Sequence, residues 1–193
     1  MQSPIKRIRG IALALGLSTA LLVGALPASA QSTVTQSVTA GSLSASLGNL
    51  GLTSVPYSLS DRASIGALDL AAEDLTGSSA GWNVTVLASN FVWTTVAGST
   101  GGTDIPAVNF TLISAAVPVL VLGQAVGVAA ATGPNPVFTS AVPLNTARKV
   151  IAATAAYGDG SYTQDLGVSL NVPGQSKLGL YTSTLTTTIT TAP

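Results

Sequence analysis

Tyr162-Thr163-Gln164-Asp165-Leu166-Gly167-Val168-Ser169-Leu170-Asn171-Val172 decides the fold class. Tyr162, Leu166, Val168, Leu170 and Val172 fall on one face, with Gln164 the single polar member. Thr163, Asp165, Gly167, Ser169 and Asn171 fall on the other. A two-residue period is the pattern of a strand with one face in a core. Gly167 inside such a run signals a bulge or a close backbone approach. Pro173-Gly174 closes the strand with turn chemistry. A second run sets Tyr181, Ser183, Leu185, Thr187 and Ile189 against Thr182, Thr184, Thr186 and Thr188. The short link between the runs, Val172 to Lys177, reads as the turn of an antiparallel hairpin.

Outward from this pair, further strands are expected at 42–47, 66–70, 82–87, 107–113, 117–122 and 149–155, with an N-terminal strand at 32–38. Residues 117–122 are apolar on both faces, the pattern of an interior strand, with Pro118 near its first position. Turns fall at 77–81, 98–102, 133–136 and 158–160, where Gly, Pro, Asn and Ser cluster. Residues 62–66 and 144–148 read as short helical turns. The expected fold is therefore all-β: a single antiparallel β-sandwich, Greek-key-like, with few short helical turns.

Composition supports that reading and excludes several functions. Charged residues make up 7% of the chain, against an ordinary ~25%, so there is little to solvate an outer helix face. Ser, Thr, Val and Gly fill the polar and β-branched positions of strands. No Cys and no His occur. That excludes disulfides, thiolate and imidazole metal sites, and hydrolases with a His base. No cofactor and no metal are expected, and no enzyme activity.

The N-terminus has the three parts of a secretory signal. Lys6, Arg7 and Arg9 precede an uncharged apolar run from Ile11 to Leu26, and Pro27 precedes Ala28-Ser29-Ala30. Cleavage is expected after Ala30, giving a signal peptide at 1–30 and one domain at 31–193. The remaining chain has four basic residues (Arg62, Arg148, Lys149, Lys177) against seven acidic ones, a formal charge of −3. Without a basic patch, nucleic acid is not an expected partner. No lipidation Cys, no Leu-Pro-x-Thr-Gly sorting motif and no second apolar span occur. Attachment to a cell is thus expected to be non-covalent, at the extracellular side.

Three segments together resemble the WxL domain, a bacterial cell-surface module. Leu68-Asp69-Leu70 through Gly81-Trp82-Asn83-Val84 is similar to its strand, acidic loop and Gly-Trp-x-Leu motif, with Val84 in the Leu position. Gly158-Asp159-Gly160-Ser161-Tyr162 is similar to its Gly-rich turn, and Gly179-Leu180-Tyr181 through Leu185 to its closing Gly-x-Tyr-x-x-x-Leu strand. A second Trp motif is absent, since Thr-rich sequence fills the last strand. The resemblance implies a wall-associated protein whose partners are peptidoglycan or other surface proteins.

Trp82 shares a register with Val84 and Val86 and is expected in the core. Trp93 in Asn90-Phe91-Val92-Trp93 lies outside that register and is the candidate ligand contact. Asp69, Glu73 and Asp74 are the one acidic cluster; their spacing fits no calcium loop, and they read as a solvated loop. Asp159 reads as a turn residue. The leading function is non-covalent association with the cell envelope. The alternative is a self-assembling filament or matrix subunit, with the N-terminal arm adding as a strand to a neighbour.

Overall fold

The structure is a computed structural model and describes residues 34–126 and 133–191. The expected signal peptide, its cleavage site and residues 31–33 of the arm lie outside the described residues. Contacts divide the chain into two units, Met1–Ser37 and Val38–Pro193. The second unit holds all the strands that follow.

Among the described residues of this unit there are twelve strands and one 3₁₀ turn. They are β1 (Leu43–Leu47), β2 (Arg62–Asp74), β3 (Trp82–Ala88), β4 (Val92–Thr94), the 3₁₀ turn (Ala107–Asn109), β5 (Phe110–Ala115) and β6 (Val119–Gly123). There follow β7 (Asn135–Pro136), β8 (Val142–Pro143), β9 (Arg148–Ala153), β10 (Gly160–Val172), β11 (Leu180–Thr182) and β12 (Leu185–Thr191). All named pairings are antiparallel. One sheet runs β1-β2-β10-β5-β8, with β6 also on β10; the other runs β12-β3-β9-β7. β4 and β11 form a separate two-stranded ribbon.

The two larger sheets pack face to face through one core. Leu68 and Leu70 on β2, Leu166, Val168 and Leu170 on β10, and Phe110 and Leu112 on β5 supply one side; Trp82, Val84 and Val86 on β3 with Val150 and Ile151 on β9 supply the other. The expected all-β sandwich is found. On β10 the alternation is as read, with Asp165 exposed and Ser169 half-buried. Gln164, the polar member of the inward face, is 2% exposed. Its Nε2 donates to the Ala116 carbonyl at 2.8 Å and the Val150 carbonyl at 3.4 Å, so one amide ties the two sheets together. The β10–β5 register shifts between Gly167 and Val168, as the glycine signalled.

Register also orients the sandwich. At one end Val172 faces Arg62; at the other Gly160 faces Asp74 on one side and Gly123 on the other. β2 and β10 each have 13 residues, so these ends stand about 40 Å apart.

Several expectations are corrected. Residues 62–66 are the start of β2, and residues 144–148 lead into β9 without a helical turn. The 181–189 run is not the hairpin partner of β10. It breaks at Ser183-Thr184 into β11, which pairs β4, and β12, which pairs β3. Thr184 at that break is held by Ser89: its N–H donates to Ser89 Oγ, and its carbonyl accepts the Ser89 N–H. Residues 34–38 of the expected arm strand form no strand and are exposed. The acidic cluster lies within β2, not in a loop, and Asp74 is buried, capping the turn through Thr76 N–H at 2.9 Å and Thr76 Oγ1 at 2.7 Å. β6 is no interior strand, because all five of its residues are exposed.

Candidate functional site

The family-like residues gather first at the Gly160 end. Gly81 takes φ +74, and a methyl there would stand 2.7 Å from the Ala153 carbonyl oxygen, so only glycine fits before β3. Trp82 follows, fully buried, and its Nε1–H donates to the Gly158 carbonyl at 2.9 Å. Gly158, at φ +92, lets the chain lie against that indole: a methyl there would come within 2.7 Å of Nε1. Tyr162 packs a tilted ring 6.0 Å from Trp82, and its hydroxyl donates to the Gln124 carbonyl at 2.8 Å. Gly160, at φ +137, gives room for the Leu122 carbonyl. Val84 is buried between Ile189 of β12 and Ile151 of β9. Ser79 donates to Asp159 Oδ2 at 2.7 Å, joining the 77–81 turn to the 158–160 turn. These side chains fasten two turns to the core. Trp82, with no exposed surface, cannot touch a polymer.

The opposite end of the sandwich carries two adjoining clefts, of about 280 Å³ and 680 Å³, which share Leu52, Phe91, Leu180 and Tyr181 in their walls. Concave, largely apolar sites with a few polar groups are where ligands bind. One wall is the irregular stretch around residues 52–60, with Tyr57 64% exposed. The facing wall is Lys177 to Tyr181. Arg62 and Lys177 are exposed in the smaller cleft and have no carboxylate partner among the described residues. The neighbouring Asp61 is engaged elsewhere: it accepts Asn171 Nδ2 and Gly174 N–H, each at 2.9 Å. These bonds, Asn171 first, hold its carboxyl below the usual value of 3.8.

Tyr181 and Leu185 connect this end to the family-like pattern. Tyr181 lines both clefts, and its hydroxyl donates to the Lys177 carbonyl at 2.8 Å. Burial raises that phenol above its usual 10.0. Leu185 lines the larger cleft and packs on the core.

Trp93 sits behind this wall and lines neither cleft. It is half-buried on β4 and pairs with Tyr181 across the ribbon. Its Nε1–H donates to the Leu178 carbonyl at 3.2 Å, and its backbone N–H donates to Asp104 Oδ1 at 2.9 Å. A methyl on Gly102 would lie 2.2 Å from its ring carbons, and one on Gly179 2.1 Å from Nε1. Trp93 thus positions the strand that forms the cleft wall. Sequence reading missed Tyr57, Arg62 and Lys177, because they converge from separated segments and follow no local motif.

Asp69 and Glu73, four residues apart on β2, have Cα atoms about 13 Å apart. Both lie on the same face of the strand, Asp69 exposed and Glu73 half-buried. Glu73 accepts the Ser161 hydroxyl at 2.7 Å.

Fold and clefts together describe a β-sandwich with a concave surface at one end. Residues 67–193 match the family model described as WxL domain surface cell wall-binding. The match spans well over half of the chain, and the protein belongs to the WxL family. It is accordingly a cell-surface protein that associates with the cell wall. No curated protein and no solved structure matches it. No helix among the described residues is long and apolar enough to cross a membrane.

Proposed function

We propose that the chain is exported, cleaved after Ala30, and held non-covalently on peptidoglycan by the clefts at the Arg62 end, as a binding module and not an enzyme. The observation that carries this is the convergence of Tyr57, Tyr181, Arg62 and Lys177 on one cleft in a chain of a wall-binding family. Tyrosine rings offer apolar faces to sugar rings. Guanidinium and ammonium groups pair with the carboxylates of the wall peptides through charge-assisted hydrogen bonds. Trp93 serves this site by holding the Leu178–Tyr181 wall.

The test is co-sedimentation of the exported protein with purified sacculi. Arg62→Ala with Lys177→Ala removes two exposed side chains and leaves the core untouched. Binding falls about tenfold or more, as expected for the loss of ~1.4 kcal/mol, and wild-type binding weakens with added salt. Trp93→Ala weakens binding less than the double change. Failure of the wild-type protein to sediment with sacculi, or full binding by the double variant, rejects the reading. An intact mass that retains Met1–Ala30 rejects the cleavage site.

A further inference from the structure

The Gly160 end presents an edge that the fold leaves open. β6 pairs with β10 along one side, and its other side carries no strand among the described residues. β5, which precedes it on the same edge, is covered by β8. Val117, Val119, Val121 and Leu122 are each more than 60% exposed, with Leu120 at 36%. Contiguous apolar patches of a few hundred Å² on an otherwise soluble surface mark interaction sites. Proteins guard open edges with charges, yet none occurs in the 43 residues from Ile105 to Ala147.

We propose that β6 is the contact surface for a second copy of this chain, edge to edge and antiparallel, about a two-fold axis at Val121. Three features select this occupant. First, the outer N–H and C=O groups of this edge have no strand partner among the described residues, and a strand is the partner that satisfies them in register. A hydrocarbon surface would cover the side chains but leave those groups unsatisfied, at several kcal/mol each. Second, the segment is self-complementary. Rotation about Val121 sets Leu120 of one copy opposite Leu122 of the other, and Val119 opposite Gly123, with no charge to repel the approach. Third, the exposed valine and leucine side chains of β6 would meet their counterparts across the new ladder, and such cross-strand apolar pairs stabilise a sheet.

The β6–β10 register shifts between Ser161 and Tyr162, leaving Val121 as an extra residue. That bulge shortens the new ladder, so the pair is held largely by side-chain burial and forms at high local concentration, as on a cell surface. The contact lies at the opposite end of β10 from the clefts. If the clefts bind wall polymer as proposed above, the pair is bivalent, and the second attachment is strengthened by effective concentration.

The experiment uses the exported protein, which has no cysteine of its own. In sedimentation velocity, wild type shifts from monomer to dimer as concentration rises. Val119→Lys with Leu122→Lys, both on exposed positions, raises the dissociation constant about tenfold or more at unchanged Tm, whereas Ile65→Lys, an exposed apolar residue elsewhere, leaves it unchanged. Val121→Cys gives a disulfide dimer on oxidation, since directly opposed residues of antiparallel strands lie within disulfide reach, and Ser44→Cys does not. Monomers at every concentration, an undiminished dimer in the double lysine variant, or cross-linking of the Ser44→Cys variant alone would each overturn the proposal. Flotation of wild type, but not the double variant, with neutral phosphatidylcholine vesicles would assign the patch to lipid instead.

Discussion

Replacing Trp82 by Phe separates the two roles a motif tryptophan can have. The indole Nε1–H donates to the Gly158 carbonyl at 2.9 Å, and Trp82 has no exposed surface. Phenylalanine keeps an aromatic ring beside Tyr162 but has no donor. The buried Gly158 carbonyl then lacks that partner, at a cost of about 1–3 kcal/mol. The smaller ring leaves a void of a few tens of Å³, worth roughly 1 kcal/mol at 24 cal/mol per Å³. The combined loss is about 3 kcal/mol, within the ~5–15 kcal/mol that holds an ordinary domain, so the variant stays folded. For a domain of this size the melting temperature falls by about 6–12 °C. Urea unfolding followed by far-ultraviolet circular dichroism measures the loss, with Trp93 as the remaining fluorescent reporter. Sacculus binding by the folded variant equals that of wild type, because the Trp82–Gly158 fastening is at the far end from the clefts. A loss below about 1 kcal/mol would refute the packing argument. Impaired binding by a folded variant would refute the assignment of Trp82 to architecture.

Other perturbations probe other parts of the fold. Val168→Asp places a charge where the native side chain has no exposure; a loss of about 4 kcal/mol in urea unfolding is expected. Asp165 stands directly opposite Asp69 on the outer face, so Asp165→Thr removes a like-charge pair and raises stability by about 0.5 kcal/mol, read as a higher urea midpoint. Tyr162 is held above its usual 10.0 by burial, then by the charges of Asp159 and Asp74. Its native form is neutral, so its contribution is complete below pH 10 and is lost as pH rises through the raised value. Alkaline titration of stability should therefore be shallower in Tyr162→Phe than in wild type.

The parts of the fold legible in sequence are those where one strand buries one face along its length. β10 is flanked over nearly its whole length, by β2 on one side and by β5 and β6 in turn on the other, and its period could be read residue by residue. Trp82 was legible for the same reason, from its register with Val84 and Val86. Misreadings arose where burial depends on neighbours that sequence does not reveal. β6 has an interior composition but an edge position. The 181–189 run keeps its period through Ser183-Thr184, although the backbone leaves one sheet for another there. The site was barely legible: Tyr181 and Leu185 were marked by the family pattern, while the cleft's cations and Tyr57 come together only in three dimensions.

The boundary of the family match bears on how such a module acquires its ligand. The matched region begins at residue 67, yet Leu52, Tyr57, Arg62 and Ser64 line the smaller cleft. One wall therefore lies in the matched region, from Lys177 to Tyr181, and the facing wall lies before it. The fastening residues Gly81, Trp82, Gly158, Gly160 and Tyr162 all lie inside the match and at the other end of the sandwich. Glycines that must take φ near +74 to +137, and a tryptophan with a buried donor, tolerate few replacements, because each change costs packing or leaves a polar group unpaired. The stretch at residues 53–60 has no ladder partner and carries exposed Tyr57, so it accepts substitution at little cost to the core. If the cleft binds wall polymer as proposed, the wall that lies before the matched region is the part free to vary its preference. Grafting a different 53–60 segment onto this chain, with Leu52, Asp61 and Arg62 kept for their packing, hydrogen bonds and ladder pairing, should change the preferred wall polymer without changing the melting temperature by more than a few degrees.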